Sequence, residues 1–546
     1  MNVRPLSTLF VSLSLAFAAA CGSSGATNDG GTAGASGAAG AGGTAGTTGR
    51  GGSSGAAGAT GAAGAPSGNQ SVLERNKNPS RDGHFVQPAL TKAAAATMTR
   101  NSGFAASFTG NMWASPLYIE NGPGGTGAFF AVTTGNDVYA LDETTGAVKW
   151  MRNIGSSPTA NGVSCGNIHP LGILGTPVID ATTRTMYVAG AIGTSSISEH
   201  EIHALSIDDG TEKSGWPIGA STITSGGLAF TPPPQNQRSA LSLVGGILYV
   251  AYGGHVGDCG PYHGWVIGIN TQNPTTRGGW ATGGQGEGIW AAGGMASDGN
   301  GVFAVTGNRT GGGSSSTHQD SEEVVRITGT GTRADLFYPS SWMPMDQADA
   351  DFGSVNPLYV ELPGATPSKI VVAIAKDGHM YLLDAAALRG TATAAGGQKV
   401  DFMVANGDMA IHTAPASYRT AMGLYVVLST TTGAVCPSGS GVSGRAVVAV
   451  RIAPGNPPVP TIAWCAAMSS PTTGPIATTT DGTANAIVWY MSGGRLMGVD
   501  GDTGASVFAG ASSDSCSGIR QWSSPIAVKG RIVAGGDTHL CSWSPQ

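Results

Sequence analysis

One short pattern of strand and turn residues recurs along most of this chain, and it limits the folds available to it. In residues 129–150 an apolar run and a Gly-Asn-Asp turn precede the alternating segment Val138–Leu141, and an Asp-x-x-Thr-Gly turn leads to a last run ending at Trp150. Alternation with a period of two between turn residues is typical of β-strands. Similar segments begin near residues 186, 247, 370 and 486. We therefore expect a series of similar antiparallel sheets.

A proline at the start of a strand indicates how many units there are. Successive prolines of this kind are separated by 61, 180, 58, 60 and 50 residues: Pro116, Pro177, Pro357, Pro415, Pro475 and Pro525. The long interval has room for three units, because two first strands without proline lie inside it, at 239–246 and 293–300. Eight four-stranded units repeated radially predict an eight-bladed β-propeller over residues 84–546. A solenoid would need capping modules, which the sequence does not show.

The last unit has three candidate strands where the others have four. The segment 102–108, which precedes the first unit, is the candidate for the missing outer strand. We therefore expect the N-terminal strand to join the last blade and close the ring, so that no sheet edge is left exposed.

The first twenty residues have the pattern of an export signal. They carry one positive charge, Arg4, and a short apolar stretch before small residues and Cys21. The ending Ala-Ala-Ala-Cys-Gly resembles a bacterial lipobox, in which the cysteine is lipidated; the alternative is an ordinary secretory signal. Residues 21–70 are mostly Gly, Ala, Ser and Thr, which predicts a disordered tether. We expect an exported protein held by lipid at a bacterial outer membrane, on the periplasmic or the cell-surface side.

Charged residues are scarce, and this excludes several classes of protein. Only 11% of the 546 residues are charged, and 27 Lys and Arg stand against 33 Asp and Glu. A coiled coil, an ordinary helical bundle or a basic nucleic-acid binder needs far more charge. We therefore expect no nucleic-acid partner, and a monomer whose partners are the membrane, through the lipid, and a protein or glycan.

The repeat also resembles a known family. The motif Ala-Leu-Asp-x-x-Thr-Gly-x-x-x-Trp at 140–150 is similar to the repeats of pyrroloquinoline-quinone (PQQ) propellers, as in quinoprotein alcohol dehydrogenases, and the resemblance covers most of residues 100–546. The same fold serves as a non-catalytic scaffold in an outer-membrane β-barrel assembly lipoprotein. The resemblance therefore implies the fold and leaves the activity open.

The family's cofactor site has partial matches in this chain. Thr306-Gly307-Asn308 is similar to the strand end whose Asn binds calcium, and Asp320 is at the place of the catalytic aspartate, which would bind calcium and accept the alcohol proton. Lys376 corresponds to a quinone contact. Trp290 and Trp522 precede inner strands and are either stacking platforms or rim packing. An adjacent Cys-Cys pair, a secure match for the calcium-binding Glu and a haem motif are missing from the sequence.

Six cysteines remain after Cys21, and an even number in an exported chain favours disulfides. In propellers the loops between strands two and three and the connections between blades share one face. That rule predicts three pairs: Cys165–Cys259, Cys436–Cys465 and Cys516–Cys541. The alternative is that some of these cysteines are free buried thiols.

Several polar residues are expected on the same loop-bearing face. His169, His255 and His263 could bind a metal together with Asp258 or Asp351, but their spacing matches no standard zinc pattern. The alternative is that loop carbonyls satisfy these histidines. The acidic run Asp346, Asp349 and Asp351 is either a cation site or a solvated loop.

Two functional hypotheses follow, and a third has little support. The favoured one is a membrane-tethered binding or scaffold module that uses its loop-bearing face. The alternative is a divergent PQQ- and calcium-dependent dehydrogenase that oxidises an alcohol or a sugar. A hydrolase or lyase is supported only by the central funnel that a propeller provides. The G-x-S-x-G match at 162–166 lacks the strand-to-helix turn that a nucleophilic serine needs.

Overall fold

The computed structural model describes residues 69–310, 317–391, 396–407, 410–471 and 473–546. The expected signal peptide, the lipidated Cys21 and nearly all of the expected tether lie outside the described residues. In the part of the chain that the structure describes, no helix has the length and hydrophobicity that a membrane span requires.

Eight sheets follow one another along the chain, which confirms the predicted eight-bladed propeller. The strands of blades 1 to 4 are Leu117–Ile119, Ala128–Val132, Asp137–Asp142 and Val148–Asn153; Val178–Asp180, Thr185–Gly193, Ile197–Ser206 and Ile218–Gly219; Ser242–Val244, Ile247–Tyr252, Trp265–Asn270 and Arg277–Ala281; and Val302–Val305, Val324–Thr328, Thr332–Tyr338 and Gly390–Thr391.

The second half of the ring continues the same order from the centre outward. The strands of blades 5 to 8 are Leu358–Glu361, Lys369–Ile374, His379–Asp384 and Gln398–Met403; Ala416–Thr420, Gly423–Ser429, Ala446–Ala453 and Val459–Ala467; Ile476–Thr479, Ile487–Ser492, Arg495–Asp500 and Ser506–Ala509; and Ile526–Val528, Arg531–Gly535 and Leu540–Pro545. The described elements outside the blades include the hairpin Thr224–Ser225 with Leu228–Ala229 and the short helices Lys92–Ala95 and Trp342–Ala348.

The hydrophobic core lies between neighbouring blades. The second strands are buried on both faces because each blade packs between two others, so Ala128–Val132 and Ile487–Ser492 are buried at every position. The outer strands lie at the rim, and Val148–Asn153 has no buried residue. This arrangement explains why the second strands appear in the sequence as continuous apolar runs.

Blade 4 departs from the predicted pattern at its inner edge. The expected first strand at 293–300 is reduced to a single bridge between Ala296 and Phe303. Gly294, Gly299 and Gly301 lie close together here and all have positive φ angles, so the backbone cannot hold an extended ladder. The fourth strand of this sheet, Gly390–Thr391, pairs in parallel with Phe337 and Tyr338.

An N-terminal strand does join blade 8, but the predicted segment is wrong. Met98–Arg100 pairs antiparallel with Trp543–Pro545, whereas 102–108 makes only an isolated bridge from Ser107 to His539. The aromatic side chains of 102–108 explain the difference, because they pack on blade 1. Phe104 lies 5.6 Å from Phe129 and Phe108 lies 5.5 Å from Tyr139 between ring centroids.

Residues 72–87 fill the central channel and contact every blade; we call this segment the plug. It forms a hydrogen bond to the inner edge of each blade. In the order of blades 1 to 8, the bonded pairs are Val72 with Tyr118, the Leu73 carbonyl with Ile179, Arg81 with Leu241, the Pro79 carbonyl with Ser297, the Ser80 carbonyl with Tyr359, the Asp82 carbonyl with Ser417, the Gly83 carbonyl with Ala477, and Gln87 with the Ala527 carbonyl. Its strand His84–Val86 pairs in parallel with Ala477–Thr479 of blade 7. The plug therefore ties all eight blades together.

Charged groups of the plug are buried and bonded to one another and to the blades. Arg81 is fully buried, and its nitrogens donate to Glu74 at 3.0 Å, to the Arg75 and Leu241 carbonyls at 2.7 and 2.8 Å, and to the Met295 carbonyl at 2.9 Å. Burial raises the pKa of Glu74 to about 7 despite the charge of Arg81. The centre of the propeller is thus closed by a polar segment rather than by an apolar one.

Candidate functional site

A cavity of about 460 Å³ opens at the centre of the loop-bearing face. We call it the funnel, and it is lined by residues from six blades or the connections into them: Asn167, Arg238, Gly254, His255, Val256, Gly257, Asp258, Trp290, Asp349, Ser354, Lys376, His412, Thr413, Thr431, Gln521 and Trp522. Its volume lies in the range of small-molecule sites.

Position along the inner strands explains why these side chains converge. Arg238 and Trp522 each stand four residues before the first strand of a blade, and Trp290 stands six residues before Ala296, whose bridge replaces that strand in blade 4. At these positions the chain passes from a rim connection towards the axis. All first strands start at the same face of the ring, so residues at this position form one layer around the funnel. The plug meets the next layer down, at Leu241, Met295 and Ser524.

Aromatic rings and guanidinium groups contact one another in a row that begins at the funnel floor and continues beneath its lining. The Arg238 guanidinium lies 4.9 Å from the Trp522 ring centroid and 6.0 Å from that of Trp290. Trp113 lies 5.5 Å from Trp522 on the side towards Arg520, which stacks on Trp113 at 4.9 Å. Such cation–π contacts contribute about 0.5–2 kcal/mol each, so the ladder fixes the orientation of Arg238.

Trp522 is held in a backbone conformation that bulky residues avoid. Its φ angle is +73°, which costs on the order of 1–3 kcal/mol and persists only where the surroundings impose it. Its carbonyl accepts a hydrogen bond from Arg75 of the plug, and Arg75 also donates to Ser524. The plug therefore helps to set the position of the funnel's aromatic wall.

Lys376 lies between two carboxylates at the funnel wall. Its ammonium is 2.6 Å from Asp349 and 3.0 Å from Asp351. Burial opposes the charge on the lysine, but the two carboxylates outweigh it and raise the pKa of Lys376. Asp351 is fully buried, so this part of the acidic run is not a solvated loop, and the cation beside it is the chain's own lysine. Asp346 is also buried and accepts from the Arg309 amide.

Two of the three candidate histidines are bonded to loop carbonyls. A ring nitrogen of His255 lies 3.0 Å from the Pro233 carbonyl, and a ring nitrogen of His263 lies 3.0 Å from the Thr282 carbonyl. Burial lowers the pKa of His255 to about 4, so this imidazole is neutral at neutral pH. Among the described residues, the group of three metal-ligating side chains within 4.8 Å is Cys516, His539 and Cys541, and its two cysteines form a disulfide.

Asp320 and Asn308 are placed outside the funnel lining. Asp320 pairs with Arg333 and accepts from the Gly283 amide at 2.6 Å, on the side of blade 4 that faces blade 3. The side-chain oxygen of Asn308 is buried without a hydrogen-bond partner. The structure thus brings Trp290, Trp522 and Lys376 to one cavity, whereas Asp320 is bound to a surface arginine.

The three disulfides are those predicted from the loop-face rule. Cys165–Cys259, Cys436–Cys465 and Cys516–Cys541 are all bonded. The first of them links the connection into blade 2 to Cys259, which directly follows the funnel-lining segment 254–258. This disulfide therefore restrains the funnel's rim.

The residues of the funnel do not fit a quinone with a calcium ion. Trp290 is only 6% exposed; a Cβ on Gly288 would come within 2.2 Å of its ring, and Arg238 lies against the ring as well. Calcium takes six to eight oxygen ligands, yet Asp349 and Asp351 bind Lys376. Asn308 offers a free oxygen, but Asp320 is committed to Arg333. We therefore derive no step through either group.

Comparison with known proteins identifies the fold. No family model and no curated protein matches the sequence. Among solved structures, the chain is similar to the quinohemoprotein alcohol dehydrogenase of Comamonas testosteroni, with 13% identity and a TM-score of 0.59 over 87% of this chain and 80% of that one. A europium-containing methanol dehydrogenase gives 14% identity and a TM-score of 0.56, over 86% and 90%.

BamB from Moraxella catarrhalis also matches, with 13% identity and a TM-score of 0.44 over 82% of this chain and 96% of that one. The first two similarities show that the chain has a PQQ-like β-propeller fold. At these identities the resemblance concerns the fold alone, so function has to be argued from the funnel.

Sequence reasoning missed the plug and Arg238. The plug had a signal: Glu74, Arg75, Lys77, Arg81 and Asp82 place five charges within nine residues of a charge-poor chain. Arg238 had no such signal in the sequence, because a single arginine before a strand cannot be distinguished from an exposed arginine.

Proposed function

We propose that this chain is an exported binding module that receives its ligand in the funnel and is anchored through a lipid on Cys21. The observation that carries the proposal is the cavity itself. It is concave, it has a rigid aromatic and cationic floor, and its rim is tied by the Cys165–Cys259 disulfide. A preorganised cavity of this kind binds a ligand without the cost of ordering loops.

The first described residues of the chain contact blade 1 at the face of the propeller that is opposite the funnel. The Gln70 amide donates to Glu120 at 3.0 Å, and Glu120 follows the first strand of blade 1, at the face opposite the funnel. The described chain therefore enters the propeller from that face.

Native mass spectrometry tests the binding role. The purified chain is incubated with an extract of the producing cells and reisolated, and bound molecules are sought by mass. We expect a retained ligand in the wild type and its loss in Trp522→Ala. Trp216→Ala, which removes a ring near Tyr187 in blade 2, is the matched control. Equal retention in both variants would place binding outside the funnel.

The dehydrogenase alternative has its own test. The protein is mixed with PQQ and calcium, and a cofactor absorbance and dye-linked alcohol oxidation are measured. We expect neither at micromolar cofactor, and oxidation would overturn the proposal. The anchor is tested separately: Cys21→Ser should move the protein from the membrane fraction to the soluble fraction.

A further inference from the structure

The guanidinium of Arg238 is the least satisfied charged group of the funnel. Its Nε donates to the Trp290 carbonyl at 3.0 Å, whereas its Nη1 is buried and has no hydrogen-bond partner. All three nitrogens of the buried Arg81 are bonded. An unmatched buried donor costs about 1–3 kcal/mol, so the funnel lacks an acceptor at Arg238.

Carboxylates near Arg238 are bound elsewhere. Asp258 accepts from the Tyr262 hydroxyl at 2.7 Å, and Asp349 and Asp351 both bind Lys376. Burial lowers the pKa of Arg238 to about 10, so the group is still positively charged at neutral pH. None of these carboxylates therefore forms an ion pair with Arg238.

The guanidinium is also held in place. It lies against the Trp522 and Trp290 rings, and the hydrogen bond from Nε to the Trp290 carbonyl restrains its rotation. A planar fork with a fixed orientation matches the two oxygens of a carboxylate. Little side-chain entropy would be lost when such a ligand binds.

We propose that the funnel recognises a monocarboxylate with an apolar body, and that Arg238 binds the carboxylate. This inference rests on the proposed function and specifies the ligand's chemistry. A single negative charge is favoured over a dianion because Asp258 and Asp349 also line the funnel and would repel the second charge. Trp522 and Val256 supply apolar surface for the rest of the ligand.

The carboxylate could belong to a free small acid or to a peptide C-terminus, and two pairs of probes separate these sources. One pair is phenylacetate and phenylacetamide. The other is an N-acetylated Ala-Gly-Phe peptide with a free or an amidated C-terminus. Binding to the full chain is measured by tryptophan fluorescence and by calorimetry, with inorganic phosphate as the dianion.

At least one carboxylate should bind about tenfold more tightly than its amide, and more tightly than phosphate. Arg238→Gln should remove the preference, and Arg238→Lys should keep part of it. Arg152→Gln, a change at an exposed position of blade 1, should leave it intact. Thermal melts of each variant confirm folding.

Three results would overturn the inference: no binding of either carboxylate at about 10 mM, equal binding of the amides or of phosphate, or an unchanged preference in Arg238→Gln. A failure of this inference can be distinguished from a failure of the proposed binding function. If a cell-derived ligand is lost in Trp522→Ala while the probes show no preference for charge, the funnel binds a ligand of other chemistry.

Discussion

Two arginines lie in successive layers of the same channel, and they differ in one respect. Arg81, in the plug, is fully buried and bonded through every nitrogen, including an ion pair with Glu74. Arg238, in the funnel, has a buried nitrogen without a partner. In the plug, the chain itself supplies an acceptor for every guanidinium nitrogen, so the arginine helps to close the channel. In the funnel, one guanidinium nitrogen is left without an acceptor. Stability is expected to depend on the first and binding on the second.

Replacing Arg81 should have the largest effect. Arg81→Ala removes the hydrogen bonds that Arg81 makes to blades 3 and 4 and leaves Glu74 buried without its cation. Removing one partner of a buried pair costs about 3–5 kcal/mol, and we expect a fall of that size in the free energy of unfolding in urea. Arg152→Ala, at an exposed position, should change it by less than about 0.5 kcal/mol. A loss below about 1 kcal/mol would show that the plug does not hold the ring together.

Removal of the Cys165–Cys259 disulfide should come next. The funnel's rim is closed by this covalent link, across 94 residues, whereas the plug is held by hydrogen bonds. Cys165→Ser with Cys259→Ser should lower the free energy of unfolding by about 2–4 kcal/mol, because a long loop regains entropy in the unfolded chain. The pair Cys516–Cys541 closes only 25 residues, so its double serine variant should lose about 1 kcal/mol less. Equal or reversed losses would contradict this ranking.

The plug should also show a pH dependence. Burial raises the pKa of Glu74 from 4.5 to about 7, so the folded chain holds this proton more tightly than the unfolded one. The stabilisation is complete below pH 4.5, is lost as the pH rises to about 7, and does not change further above it. Between pH 4.5 and about 7, Glu74→Gln should reduce the total fall in the free energy of unfolding by on the order of 1–3 kcal/mol. Asp82, with its pKa raised to about 6 by burial, would account for part of the remaining slope.

The Glu74 proton gives a control for the Arg81 experiment. A protonated Glu74 needs no cation, so the penalty of Arg81→Ala should be smaller at pH 5 than at pH 8. A penalty that is the same at both pH values would mean that Arg81 acts through its carbonyl contacts alone.

The blades were predictable from the sequence because the patterns that specify their strands and turns lie within short stretches of the chain. Period-two alternation and turn residues recur in each unit, and the proline at the start of the inner strands counts them. The disulfide partners followed from a rule about which loops share a face. The outer strand of blade 8 was misplaced by a few residues, at 102–108 instead of Met98–Arg100, because alternation does not tell an edge strand from a segment whose Phe104 and Phe108 pack on a neighbouring blade.

The plug and the funnel floor depend on long-range contacts. Residues 72–83 have no periodicity, and their partners lie between about 45 and 450 positions away. Arg238 can be recognised as a binding residue only in the folded chain, where Trp290 and Trp522 from other blades lie beside it. Asp320 matched a family pattern in order along the chain, but Arg333 on the adjoining strand binds it. Sequence order alone cannot show which partner a charge will find.

Replacing Arg238 should have the smallest effect on stability. Arg238→Gln loses the stacking on Trp522 and Trp290 and the bond to the Trp290 carbonyl, together worth about 1–3 kcal/mol. It also removes the buried guanidinium nitrogen that has no hydrogen-bond partner, and the cost of such a donor is of similar size, about 1–3 kcal/mol. We expect the free energy of unfolding to change by less than about 1 kcal/mol, although the same variant loses its preference for a carboxylate. A loss as large as that of Arg81→Ala would mean that Arg238 belongs to the closure of the channel, and the distinction between the two layers would disappear.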